Sequence, residues 1–97
     1  MLSLSNEQIG ELSLNLKRML IHECNVKNCA AEDIADDDQL IGGTGRLQLD
    51  SLDAVEIVAA LERTYNLRLE GPGEARTALR SLKTMRDYVL QNAEKLP

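Results

Sequence analysis

Ninety-seven residues, 43% of them hydrophobic, suffice for one small domain spanning 1–97, and with Tyr65 and Tyr88 as the only aromatics its core must be aliphatic. Leu, Ile, Val, Ala and Met in that role suit packed helices. A formal net charge of −5, from 16 acidic and 11 basic residues, leaves no basic face for a nucleic-acid backbone and favours steering toward proteins with positive patches.

Met1-Leu2-Ser3-Leu4-Ser5-Asn6-Glu7 lacks a basic start followed by a sustained apolar run, and no stretch approaches the length of a transmembrane helix. The expectation is a chain without a signal peptide or membrane association. Cys24 and Cys29 are too few for a disulfide framework, so a cytoplasmic protein with reduced thiols is expected.

Ser5 and Gln8 form a candidate capping box, with Leu4 as its hydrophobic staple. Ile9, Leu12, Leu16, Met19 and Leu20 recur at spacings of three and four, predicting a first helix over about residues 6–24. Glu7, Glu11, Asn15, Lys17 and Arg18 mostly fall elsewhere, while Leu14 and Ile21 widen the stripe enough to meet more than one neighbour. Asn25 to Asn28 reads as a turn with Val26 anchored inward, and Glu32-Asp33-Ile34 as one helical turn at most. Leu40 and Ile41 dip toward the core within a long irregular connection over 36–50, a length that is usually functional or packed by its own side chains.

A second helix is predicted over about 51–66, with Leu52, Val55, Val58, Ala59, Leu61 and Tyr65 as its apolar surface and Ile57 at the margin. Leu67 and Leu69 anchor the stretch that follows, and Gly71-Pro72-Gly73 breaks the chain. Glu74 to Leu79 forms a short helix facing in through Ala75, Ala78 and Leu79. Ser81 caps a last helix to about residue 94, buried through Leu82, Met85, Val89 and Tyr88. Periodicity alone therefore gives an all-α fold, a small helical bundle.

Chemistry concentrates at the start of the second helix. Gly42-Gly43-Thr44-Gly45 leads through Arg46, Leu47 and Gln48 to Leu49-Asp50-Ser51-Leu52-Asp53. Asp50 serves as N-cap, which places Ser51 at the first helical position beside the positive end of the helix dipole. A phosphate there would meet free backbone N–H groups. Asp50, Asp53 and Glu56 surround the position with negative charge, so it suits a phosphate fixed covalently better than an anion drawn from solution.

Rival chemistries fit less well. A calcium loop begun at Asp37 places Gly42 correctly but puts Ile41 and Gln48 where oxygen ligands belong, and one begun at Asp36 puts Ile41 at the glycine. The acids of that run read instead as solvated groups closing a helix turn. The glycine loop lacks both the Gly-Lys-Ser/Thr ending and a third glycine, so it is no nucleotide cradle and instead gives freedom before the helix. Ser51 has no Gly-x-Ser-x-Gly context, and His22, the only histidine, reads as a surface residue. His22, Cys24 and Cys29 match no common zinc spacing, and the cysteines read as small apolar side chains. No catalytic residue and no metal site is nominated.

Leu49-Asp50-Ser51-Leu52-Asp53, followed by Val55-Glu56-Ile57-Val58 and Ala60-Leu61-Glu62, resembles the phosphopantetheine attachment site of acyl carrier proteins. The Asp-Ser-Leu triplet alone is weak; opening a helix, with these acids and this apolar spacing, it is specific. The resemblance covers roughly residues 6–93 and is strongest from Leu47 to Leu69. It implies an acyl-carrier-protein-like bundle of three longer helices plus one short helix before the last. It also implies that Ser51 carries 4′-phosphopantetheine, installed from coenzyme A with Mg²⁺ by a phosphopantetheinyl transferase. Acyl groups would ride on its thiol as thioesters during fatty-acid, polyketide or related specialised lipid biosynthesis. On this reading the chain is a monomeric carrier and no enzyme, and its further partners are acyl-loading and chain-processing enzymes such as a ketosynthase, an acyltransferase or an acyl-ligase.

By position, partner recognition would fall to Asp50, Leu52, Asp53, Val55, Glu56, Ala59 and Glu62, and an acyl pocket to Val55, Val58, Ala59, Leu79 and Leu82. Arg63 and Thr64, together with Arg76 and Arg80, stand where housekeeping fatty-acid carriers usually have acids, so the likeness is to discrete carriers of specialised pathways. Two alternatives stay open: an aminoacyl or peptidyl carrier, and an unmodified adaptor that docks a basic partner through its acidic helix.

Overall fold

The computed structural model describes residues 4–42 and 47–93, the Pro72 side chain excepted. Ser5 opens the first helix through a reciprocal box, its hydroxyl accepting from the Gln8 N–H at 3.2 Å while Gln8 Oε1 accepts from the Ser5 N–H at 3.0 Å. From there α1 runs over Asn6–Glu23, followed by a 3₁₀ turn at Ala31–Asp33, α2 at Ser51–Tyr65, α3 at Gly71–Ala78 and α4 at Leu82–Asn92. The fold is an all-α bundle of three longer helices with one short helix before the last. Among the described residues no helix is long and apolar enough to cross a membrane. Ser81 caps α4 as expected, its Oγ accepting from the Thr84 N–H at 3.1 Å. The expected fourth-helix end at residue 94 lies outside the described residues, and the helix stops at Asn92.

α1 packs against α2, α4 and the 3₁₀ turn, while α3 rests on α4. Leu12, Leu16 and Leu20 from α1 meet Ile57, Leu61 and Tyr65 from α2 and Leu82, Met85 and Val89 from α4 in one core. Burying each such side chain contributes on the order of 1.5–3 kcal/mol. His22 is exposed, as expected. The α2 face is a correction to the periodicity. Ile57, expected at the margin, is fully buried, whereas Leu52 and Val55 are 77% and 65% exposed. At about 100° per residue, Leu52, Val55 and Ala59 share the side of α2 opposite Leu61, so the apolar residues form two stripes of which one faces the core.

The break at Gly71-Pro72-Gly73 is also corrected, because α3 begins at Gly71 and not at Glu74. First-turn amides have no acceptor within the helix, so a proline there forfeits no ladder bond. Gly71 takes φ +82°, open to glycine at little cost, and Glu74 Oε2 accepts from the Glu70 N–H at 2.8 Å to fix the helix start. Glu74 Oε1 and the Arg68 carbonyl oxygen each lie 2.8 Å from the Tyr88 hydroxyl, tying α3 to α4.

The acidic run over 32–38 is partly structural. Asp33 Oδ2 accepts from the Ala30 N–H at 2.9 Å and Asp38 Oδ2 from the Ala35 N–H at 3.1 Å. Asp36, expected to be a solvated acid, sits between Lys17 Nζ and Arg86 Nη1, each at 3.1 Å, and Arg86 Nη1 also donates to the buried Ser13 Oγ at 3.0 Å. Burial alone would raise the Asp36 carboxyl, but the hydrogen bond and charge of Lys17, then Arg86, outweigh it and hold the group below its ordinary value. The unfolded chain therefore takes up this proton first on acidification. The stabilisation is complete above the ordinary carboxylate range and is lost as pH falls through the folded value. Asp36→Asn is expected to lower the urea midpoint at pH 7 and to flatten its fall below pH about 4; an unchanged acid limb in a pH series of urea titrations would contradict this assignment.

Candidate functional site

The start of α2 is held by backbone pairing with a distant strand-like segment. The Leu49 N–H donates to the Leu40 carbonyl at 2.8 Å and the Gly42 N–H donates to the Leu49 carbonyl at 2.8 Å, a parallel bridge. On its other side Leu40 donates its N–H to the Arg80 carbonyl at 3.1 Å, and Gln39 pairs with Ser81 in an antiparallel bridge. Leu40 itself is fully buried. This clasp sets the first turn of α2 beside the first turn of α4. The remaining glycines expected to loosen the approach, with Thr44 and Arg46, lie outside the described residues.

Gln48, immediately before the clasped Leu49, has φ +50°. The left-handed region costs a residue with a Cβ on the order of 1–2 kcal/mol, so the approach to α2 carries strain that the clasp holds in place. Asp50 then caps the helix as expected: its Oδ1 accepts from the Asp53 N–H at 2.9 Å. Asp53 completes the box, its Oδ2 accepting from the Asp50 N–H at 3.0 Å. This structural role of Asp53 was legible as an acid three residues after the cap, although the sequence reading used it only as surface charge.

Ser51 is exposed at the first position of α2, and its hydroxyl has no hydrogen-bond partner among the described residues. A serine at a helix start is most often there to cap it. Here the aspartates do the capping, so the Ser51 hydroxyl is free of structural duty. The amides of Ser51 and Leu52 belong to the first turn, where the helix offers no acceptor. Cys24 lies half-buried behind this turn, with Sγ 4.0 Å from the Asp53 carbonyl oxygen. Burial, followed by the charges of Asp53, Glu23, Glu56 and Asp50, pushes its thiol up to about 11. Both cysteines are free thiols, and among the described residues no cluster of His, Cys, Asp and Glu gathers as for a metal.

The residues expected on a partner-facing surface separate into two groups. Leu52, Val55 and Ala59 form the exposed apolar stripe, with Asp50 and Glu56 exposed beside it. Asp53 is half-buried and committed to the capping box. Glu62 is likewise half-buried, its Oε2 accepting from the Leu69 N–H at 3.1 Å to close the turn after α2. Arg63 pairs with Glu23 at 2.9 Å, joining α2 to α1.

Ser51 stands at the edge of an open cleft of about 1020 Å³. Of the residues read as an acyl pocket, Val55, Val58 and Leu79 line this cleft, joined by Ala54 and Ala75. Ala59 and Leu82 do not. Ala59 lies in a separate shallow hollow with Glu62 and Arg63, on the outer stripe of α2, and Leu82 is fully buried in the core. Ile41 and Thr84 also line the cleft, brought there by the clasp; their partners lie far apart in the chain, and nothing local signals the contact.

Gln48→Gly is expected to stabilise the fold by about 0.5–1 kcal/mol, because glycine occupies the left-handed region without the Cβ penalty, and Gln48→Val to destabilise it. Denaturant midpoints in the opposite order would contradict the strained approach. At pH 7.5 Cys24 should be alkylated roughly 100-fold more slowly than an ordinary thiol, its rate rising about tenfold per pH unit, since the thiolate is the reactive form. Peptide mapping after timed iodoacetamide treatment measures this.

Comparison with known proteins adds no relative to this geometry: no family model matches the chain, and no curated protein matches it.

Proposed function

We propose that the protein carries acyl groups, with 4′-phosphopantetheine joined to Ser51 Oγ through a phosphodiester. The observation that carries this reading is the exposed Ser51 hydroxyl, without a partner among the described residues at the first position of a helix that Asp50 and Asp53 already cap. The residues present fit such a group. The helix end favours a bound phosphate, while Asp50, Asp53 and Glu56 disfavour a free anion competing for the place. When attached, the group supplies a flexible thiol on which acyl chains ride as thioesters.

The chain's own residues supply position and recognition. The clasp through Leu40 and Leu49 fixes Ser51 against the bundle, so the attachment point is presented at a constant place. Leu52 and Val55 offer an apolar contact beside it, with Asp50 and Glu56 as acids for Arg and Lys side chains of a partner. Exposed pairs of that kind are individually weak, about 0–1 kcal/mol, and screened by salt, which suits complexes that form and dissociate repeatedly. The apolar cleft beside Ser51 gives a chain on the arm a place out of water.

Incubation with coenzyme A, Mg²⁺ and a broad-specificity phosphopantetheinyl transferase tests the proposal. Transfer forms the Ser51 Oγ–phosphorus bond and breaks the pyrophosphate bond of coenzyme A. The hydroxyl proton passes to a base of the transferase, and adenosine bisphosphate leaves. Intact mass should rise by one phosphopantetheine, and Ser51→Ala should abolish the gain while leaving the thermal midpoint unchanged, because the exposed hydroxyl bonds to none of the described residues. No gain in the wild-type protein, under conditions that modify a control carrier, would overturn the reading.

A further inference from the structure

The cleft beside Ser51 combines apolar walls with a charge pattern opposite to the rest of the chain. α2 contributes Ala54, Val55 and Val58, and Ala75 and Leu79 face them from α3 and its end. At the same cleft Arg76 and Arg80 bring two exposed guanidiniums against the single carboxylate of Asp37. The cleft is thus locally positive in a chain of net charge −5. Among the described residues neither arginine has an ion pair or a side-chain hydrogen bond, whereas Lys17, Arg63 and Arg86 are each held by an acid. Ser51 apart, the other polar side chains there are engaged locally: Gln39 Nε2 donates to the Ile41 carbonyl at 3.2 Å, Ser81 Oγ accepts from the Thr84 N–H at 3.1 Å, and Thr84 Oγ1 lies 2.9 Å from the Ala78 carbonyl oxygen.

We infer that this cleft favours acyl groups that are apolar along their length and end in a carboxylate, with the carboxylate received by Arg76 and Arg80. The inference rests on Ser51 being the attachment point, since that roots the phosphopantetheine arm at the cleft edge, and the arm folding back along α2 brings its thioester to the apolar walls. A hydrocarbon terminus gains nothing from two solvated guanidiniums. A carboxylate gains charge-assisted hydrogen bonds in the forked geometry that guanidinium offers. The volume, about 1020 Å³, is at the upper end of small-molecule sites, which run to about 1,000 Å³.

Loading the ¹⁵N-labelled protein by transferase from adipyl-coenzyme A and from hexanoyl-coenzyme A gives two thioesters of equal length that differ only in the terminal carboxylate. The amides of residues 75–84 should shift further with the adipyl chain. Relative to the same thioesters on coenzyme A, hydroxylamine should cleave the adipyl protein about threefold to fivefold more slowly than the hexanoyl protein, the range expected of exposed ion pairs. The double variant Arg76→Gln, Arg80→Gln, with unchanged helical circular dichroism, should erase that difference and leave the hexanoyl rate as it was. Complete loading with equal shifts and equal rates would overturn the inference while leaving the carrier reading intact. A failure to load at all would instead overturn the carrier reading. An adipyl preference that survives in the double variant, with the ³¹P resonance of the unacylated arm altered by the substitutions, would assign the arginines to the phosphodiester and also overturn the inference.

Discussion

Leu40 is gripped from both sides, and the placement of every functional group depends on that grip. Its carbonyl accepts from Leu49 one residue before the cap of α2, its N–H donates to Arg80 one residue before the cap of α4, and its side chain is fully buried. Each backbone bond contributes a net stability of only about 0.5–1.5 kcal/mol. The buried leucine adds on the order of 1.5–3 kcal/mol. Together they make a segment without regular secondary structure behave as part of the core. Because α3 rests on α4, fixing the start of α2 against the start of α4 also fixes where the space between α2 and α3 opens. The cleft is a consequence of the clasp.

Charge is sorted around this frame by depth. Asp36, Lys17, Arg86 and Ser13 form a partly buried network that joins α1 and α4 to the loop between them, with both oxygens of the carboxylate occupied. Lys17 and Arg86, each 16% exposed, share the one carboxylate of Asp36, so the set acts as a unit. The Arg63–Glu23 pair is different in kind: its arginine side chain is 66% exposed, and such a pair contributes at most about 1 kcal/mol. Outermost are Asp50 and Glu56 on α2 and Arg76 and Arg80 across the cleft, exposed and of opposite sign. Of these, Glu56, Arg76 and Arg80 hold no described partner, whereas Asp50 also caps α2.

What the sequence made legible was local. Ser5 with Gln8, Asp50 before Ser51, and Ser81 before α4 were readable because a cap and its amide lie within three residues of one another. The helices followed from periodicity, and the Asp-Ser-Leu triplet pointed to the candidate site. The start of α3 and the capping role of Asp53 apart, the misread features depend on contacts reaching beyond one helical turn. Ile57 and the Leu52–Val55–Ala59 stripe have equal claims to burial until α1 selects one side of α2. Glu62 reads as a surface acid until the chain turns back and brings the Leu69 amide to it. Asp36 sits in an acidic run that looks uniformly solvated, yet Lys17 and Arg86 approach it from two helices. Leu82 is buried as the α4 periodicity reads it, but in the core and not in the cleft.

The division of labour at the start of α2 separates the Ser51 oxygen from the capping of the helix. If Ser51 itself capped the helix, any group attached to its oxygen would remove a capping bond, a loss of about 0.5–2 kcal/mol at the point the clasp works to fix. Asp50 and Asp53 take that duty with two reciprocal bonds. The strain at Gln48, the residue that turns the chain into Leu49, is set against the clasp and not against Ser51. Substitution on the Ser51 oxygen therefore leaves every described hydrogen bond of the turn in place. The attachment proposed at Ser51 needs a point whose modification does not perturb the fold presenting it, and a hydroxyl without a partner among the described residues meets that requirement.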